Sequence, residues 1–283
     1  MSLRDICVIT DDTETGEARV RLAAKLAQPS RAHLIGVCAR ATFAPLVADV
    51  NPIAGASGAI IEMRDRAREI SAERAARAEA MLHDVARVHG LTDEWHDILD
   101  EDPLDRLIGA ARCADLILLG QFDPERREAA AMRELAELLL LESGRPVLFV
   151  PYIGTATAIP PKRALICWND SRPAARAVND AVPLLADAEV TVLAIDAGPT
   201  ALERAGAEAI AAHLVRHGVR ATPQQTISNG IPAADVILNY ASDLGAHMIV
   251  MGGYGHSRRR EHLLGGVTFE LLRTMTVPVL MSH

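Results

Sequence analysis

The chain has 283 residues, room for two domains at roughly 150 residues each. Apolar residues make up 49% and charged residues 23%, which excludes a disordered or collagen-like chain. The formal net charge of -8 disfavours general binding to phosphate backbones, so no nucleic-acid partner is expected, but it leaves room for a local basic site.

Aromatic residues are only 3%, so Leu, Ile, Val and Ala must build the core. The longest apolar runs, such as Leu138 to Leu141 and Pro146 to Val150, fall far short of the roughly 20 residues that span a bilayer. Arg4, Asp5 and Ile6 lead straight into a strand-like stretch, which reads as no signal peptide and a cytoplasmic protein without a membrane partner. Cys7, Cys38, Cys113 and Cys167 form no CxxC pair and read as small buried thiols in a reducing compartment. The only lysines, Lys25 and Lys162, follow no glycine-rich loop, so no Walker phosphate site is present.

In chain order, strands are expected at Asp5–Thr10, His33–Cys38, Glu94–Leu99, Leu116–Leu119 and Val147–Val150. Phe43 to Ile61 reads as an inserted loop, followed by a long helix from Glu62 to His89. Its Arg64, Arg66, Arg68 and Arg74 read as a solvated face of charge pairs. Pro151 to Lys162, with three prolines, one glycine and small residues, reads as a linker. Strands then fit Ala164–Trp168, Glu189–Ile195, Arg220–Ile227, Met248–Met251 and Val277–Leu280, and helices fit Pro173–Leu185, Ala201–His217, Pro232–Leu244 and Val267–Arg273. Short apolar strands separated by helices indicate parallel pairing with right-handed crossovers.

The two halves repeat one another. Ala114-Asp115-Leu116-Ile117-Leu118-Leu119-Gly120 matches Ala246-His247-Met248-Ile249-Val250-Met251-Gly252, and Pro146-Val147-Leu148 matches Pro278-Val279-Leu280, with a constant offset of 132. The starts also correspond: Ile6 to Thr13 and Leu165 to Ser171 are each an apolar run, a polar turn and a helical pattern. The expected domains are residues 1–151 and 159–283.

Chemistry concentrates after the fourth strand of the second half. Gly252-Gly253-Tyr254-Gly255 is followed by nine residues, then Gly265-Gly266-Val267-Thr268 opens a helix. Phosphate binding needs accessible backbone N–H groups at a helix N-terminus, and glycines permit that approach. His256, Arg258, Arg259 and Arg260 offer positive charge between the glycines.

This spacing resembles the ATP-binding signature of the universal stress protein family, and nearly the whole chain resembles two tandem copies of that domain. The resemblance implies two Rossmann-like α/β domains, each a five-stranded parallel sheet of order 3-2-1-4-5 with helices on both faces. It places Gly252, Gly255 and Gly265 on the phosphate-loop glycines, with Met251, Gly253, Tyr254, Gly266, Val267 and Thr268 flanking them. Cys167, Trp168 and Asn169 fall on the turn beside adenine, and Ile195 on the second-strand residue lining that pocket. Two positions depart from the pattern: Gly266 stands where Ser or Thr is usual, and Asn169 where Asp is usual. ATP, or alternatively ADP or AMP, is the implied cofactor, with Mg²⁺ as its companion. The implied role is regulatory or stress-responsive, with no catalytic or metal-ligand residues assigned. A slow nucleotide hydrolase using His256, Glu261, His262 or Asp170, and a nucleotide-independent scaffold, are the alternatives.

Applying the offset, Asp123 and Arg133 stand in the first half where Gly255 and Gly265 stand in the second, and Asp123, Glu125 and Glu134 bring carboxylates to the loop. Nucleotide binding by that loop is not expected. The family forms dimers through its last strand, so Val147–Val150 and Val277–Leu280 are expected to pair within the chain. A further homodimer remains open.

Overall fold

In β1 (Asp5–Ile9), Ile6 and Val8 enter one apolar core while Cys7 and Ile9 enter another. A strand buried on both faces needs helices on both faces of its sheet. The computed structural model describes residues 2–39, 57–98, 103–125, 129–153, 159–196, 206–254 and 266–283. The first half continues through α1 (Glu14–Ala27), β2 (His33–Ala39), α2 (Ser57–His89), β3 (Asp93–Ile98), α3 (Pro103–Arg112), β4 (Leu116–Gly120), α4 (Ala129–Glu142) and β5 (Val147–Val150). The second comprises β6 (Arg163–Trp168), α5 (Arg172–Ala181), β7 (Glu189–Asp196), α6 (Ala207–Arg216), β8 (Arg220–Ile227), α7 (Ala233–Asp243), β9 (Met248–Gly252), α8 (Gly266–Thr274) and β10 (Val279–Ser282).

The sheet order is β3-β2-β1-β4-β5-β10-β9-β6-β7-β8. Each half therefore has the order 3-2-1-4-5, and pairing within each half is parallel. The halves join where β5 meets β10 antiparallel, with Phe149 opposite Val279, Leu148 opposite Leu280 and Val147 opposite Met281. The result is one ten-stranded sheet among the described residues rather than two separate ones.

Both cores run through this junction. Leu148, Val150, Val250 and Leu280 belong to one, and Val147, Phe149, Val279 and Met281 to the other. The outer edges are blunted: β3 reads Asp-Glu-Trp-His-Asp-Ile, and β8 carries Pro223 and is largely exposed.

Matching side chains start the first helix of each half. The Thr13 hydroxyl accepts from the Gly16 N–H (3.1 Å) and the Ser171 hydroxyl from the Ala174 N–H (3.2 Å). Helix α2 buries Ala75, Ala78, Leu82, Val85 and Ala86 against β2 and α1. Gly36 in β2 makes that approach possible, since a Cβ there would lie 2.4 Å from Leu82 Cδ2 and 2.7 Å from Trp95 Cε3.

Some boundaries differ from those expected. The last strand starts at Val279 because Pro278 has no N–H to give the ladder, although its carbonyl accepts from the Ile249 N–H (2.9 Å). The long helix starts at Ser57, ahead of Glu62. The rest of the expected Phe43–Ile61 insertion, up to residue 56, and positions 201–205 lie outside the described residues.

Phe149 is 1% exposed at the junction. Replacing it with Ala should destabilise the fold by about 3–5 kcal/mol. Urea unfolding followed by circular dichroism measures this.

Candidate functional site

Register assembles the second-half crevice. Cys167 pairs with Leu193 of β7 and with Met251 of β9, and Trp168 pairs with Ala194. Ile195 and Gly252 lie one residue further along, so Cys167, Trp168, Ile195, Met251 and Gly252 share the carboxyl ends of three neighbouring strands. The strand order reverses between β6 and β9, the position where open α/β sheets bind ligands.

Asn169-Asp170-Ser171 then turns the chain into α5. Asp170 takes a left-handed conformation with φ of 54°, and the Ser171 hydroxyl donates to Asn169 Oδ1 (2.7 Å). Asn169 itself is exposed. Gly252 packs against the start of α5: a Cβ there would lie 2.4 Å from the Ala174 nitrogen. Across the crevice, α8 begins at Gly266, where a Cβ would meet no described atom within 4 Å. Val267 is exposed and Thr268 is 4% exposed in the first turn. Gly255, Gly265 and His256 to Leu264, including the three arginines, lie outside the described residues.

Tyr254 and Gly253 are turned toward the first half. A Cβ on Gly253 would lie 2.5 Å from Leu140 Cδ2 of α4. The Tyr254 ring meets His283 edge-on at 6.0 Å, and its hydroxyl is buried with no hydrogen-bond partner among the described residues. Burial, and next the charge of Glu137, push the Tyr254 phenol well above its ordinary range. The Tyr254 side chain is thus an interface group. Burial also pushes the Cys167 thiol up to about 12.

The first half uses the equivalent loop differently. Gln121 Nε2 donates to the carbonyls of Leu272 (2.9 Å) and Arg273 (3.2 Å) at the end of α8. Gln121 Oε1 accepts from the Tyr152 N–H (3.2 Å). Phe122 stacks on Phe269 with centroids 5.8 Å apart, and the Arg133 guanidinium lies 5.8 Å from the same ring. The side chains of this loop thus clasp α8.

Three arginines collect at the neighbouring crevice of the first half. Arg19, 6% exposed, sits so close to the end of β4 that a Cβ on Gly120 would lie 1.9 Å from Arg19 Nη1. Its ion-pair contact is Asp11 Oδ2 at 3.9 Å, and its Nε has no acceptor among the described residues. Burial pulls the guanidinium below the ordinary arginine range, and Asp11 offsets part of that. Arg74 Nε (2.7 Å) and Arg77 Nη2 (2.7 Å) bind the two oxygens of Asp12. Burial alone pushes the Asp12 carboxyl up, but these hydrogen bonds outweigh it and hold it below its ordinary value. Arg74 therefore does not belong to the solvated face read from the sequence, whereas Arg66 and Arg68 do, making exposed pairs with Glu69 and Asp65 at (i, i+3) rather than the expected (i, i+4) spacing. Nothing in the spacing of these arginines marks them, because Arg74 and Asp12 are 62 residues apart.

The fold defines a tandem pair of doubly wound α/β units, with a glycine at the end of β9 and another at the start of α8 in the second. A model of the universal stress protein family matches residues 161–283. The first half repeats the architecture of the matched residues. Among solved structures, a universal stress protein from Archaeoglobus fulgidus is similar over 99% of this chain and 96% of its own, at 18% identity and a TM-score of 0.67. A protein of unknown function from Pseudomonas aeruginosa covers 99% of this chain and 92% of its own, at 18% identity and a TM-score of 0.54. The cytoplasmic domain of a prokaryotic cation chloride cotransporter covers 99% and 95%, at 10% identity and a TM-score of 0.51. No curated protein sequence matches the chain. Among the described residues, no helix is long and apolar enough to cross a membrane.

Cysteine accessibility tests the site geometry. Cys113 is exposed, while burial pushes Cys7 and Cys167 each up to about 12. A thiol with that pKa is almost wholly protonated at about pH 8, and the thiolate is the nucleophile. Iodoacetamide under native conditions should therefore alkylate Cys113 first and leave Cys7 and Cys167 unmodified, as peptide mass spectrometry would read.

Proposed function

We propose that the second half binds an adenine nucleotide and that the chain is a regulatory, nucleotide-responsive stress protein of the cytoplasm. One observation carries this reading: register brings Cys167, Trp168, Ile195, Met251 and Gly252 together at the strand-order reversal, and α8, the helix that follows β9, begins at a glycine. Cys167, Ile195 and Met251, which share one face of the sheet, offer apolar surface to a base, and Asn169 offers both a donor and an acceptor to its edge. The backbone N–H groups at Gly266 and Val267, with the Thr268 hydroxyl in the same turn, suit the phosphates.

Among the described residues no group of three His, Cys, Asp or Glu side chains is arranged to hold a metal. Mg²⁺ fits this site as a companion of the phosphates, with Asp170 as the nearest carboxylate in the turn. Cys7, Cys38, Cys113 and Cys167 form no disulfide, which supports a reducing compartment. Pairing of β5 with β10 covers both last-strand edges within one chain, so a homodimer is not needed to protect them.

Purified protein should gain thermal stability on addition of ATP and Mg²⁺, read by scanning fluorimetry. The Gly266→Ser variant should bind more tightly, because the new hydroxyl enters space that no described atom occupies. A hydrogen bond to a charged oxygen contributes about 1.5–3 kcal/mol, equivalent to about ten- to a hundredfold in Kd. Isothermal titration measures the change. No stabilisation and no measurable binding at millimolar ATP would overturn the proposal.

A further inference from the structure

We propose that the first half carries an oxyanion-binding site of its own, with the buried Arg19 guanidinium as its receptor. The ligand class is a small molecule presenting a phosphoryl or carboxylate group.

Comparison of the halves isolates the feature. Arg19 lies six residues beyond the capping Thr13, and Ala177 lies six residues beyond the capping Ser171. The same place on the first helix thus holds a cation in one half and a buried alanine in the other. In both halves this helix faces the glycine ending the fourth strand, Gly120 or Gly252, at the reversal of strand order. The first half has therefore put a positive charge where α/β sheets take ligands.

Asp11 does not account for that charge. Its Oδ1 accepts the Thr13 N–H (3.0 Å) and the Thr13 hydroxyl, so the carboxylate is held by the capping turn. Its Oδ2 stands 3.9 Å from Arg19 Nη2, beyond hydrogen-bond distance. A guanidinium is permanently charged, and its planar fork matches an oxyanion bidentately. Arg19 Nε is left without an acceptor among the described residues. A salt bridge built only to fill space would satisfy that donor.

Arg74 and Arg77 extend the positive surface outward. Both grip Asp12, the residue after Asp11, and their side chains are 43% and 58% exposed. Asp97, in register with Cys38 at the end of β3, sets a carboxylate further out. Two partly exposed arginines on Asp12 thus stand beside the buried one on neighbouring Asp11. The arrangement differs from the second-half crevice in chemistry: there the anion partners are backbone amides, and here they are guanidiniums.

Scanning fluorimetry of the full chain tests this with inorganic phosphate and malonate as separate probes, each against sodium chloride of equal ionic strength. The same titrations in a folded Gly265→Val variant separate this response from the second-half site. At least one of the two anions should raise the melting temperature of the native protein above the chloride control, and the more effective one identifies the group recognised. Arg19→Gln should abolish that rise, Arg77→Gln should weaken the apparent affinity about three- to tenfold, and Arg66→Gln, on the solvated face, should leave it intact. Failure of both anions to act, or a full response in Arg19→Gln, would overturn the proposal. Should Arg19→Gln not fold, an unchanged affinity in Arg77→Gln would overturn it.

Discussion

The antiparallel pairing of β5 with β10 is the contact on which the rest of the molecule depends. Each half is a five-stranded parallel sheet whose last strand is short and apolar. Left alone, Val147–Val150 and Val279–Ser282 would each present unpaired backbone groups and an apolar edge to water. Joined, they satisfy each other and carry two apolar cores continuously from one half to the other. The junction also fixes a pseudo-two-fold relation, seen in the pairs Phe122 and Tyr254, Gln121 and Gly253, and Leu140 and Leu272, each separated by 132 positions.

That relation explains why the halves diverged. The loop after the fourth strand lies beside the junction in both. In the first half Gln121 and Phe122 reach across to the end of α8, through the Leu272 and Arg273 carbonyls and the Phe269 ring. In the second, Gly253 accepts Leu140 of α4 against its backbone, and the half-buried Tyr254 sets its hydroxyl under the influence of Glu137 on the same helix. One loop became a clasp, which released it from the glycine geometry that phosphate requires. The other kept its glycines and starts α8 at the open Gly266. The first half also filled its crevice floor with Arg19 where the second has Ala177, so the two ends of the sheet differ in electrostatics as well as in loop shape.

Much of this was legible in the sequence. The strands show as short apolar runs between polar turns, and the constant offset of 132 exposes the repeat and the equivalence of the last strands. The polar turns ending at Thr13 and Ser171 mark where the first helix of each half begins, and the structure adds that both hydroxyls cap it. The arginine cluster was not legible. Arg74 sits among other charges on a long helix, and only the packing of α2 against α1 carries it to Asp12. Arg19 reads as an ordinary polar position of an amphipathic helix until the end of β4 is seen against it. Tyr254 reads as a loop residue near the phosphates, yet its side chain belongs to the interface, a placement decided by residues more than a hundred positions away.

The central claim is a division of labour, with one adenine nucleotide held by one chain in the second half only. Equilibrium titration of the intact chain with labelled ATP, read as moles bound per mole of protein, tests this most directly. One nucleotide per chain, lost in a folded Gly265→Val variant, is the predicted result. Two nucleotides per chain, or one that survives Gly265→Val, would contradict it.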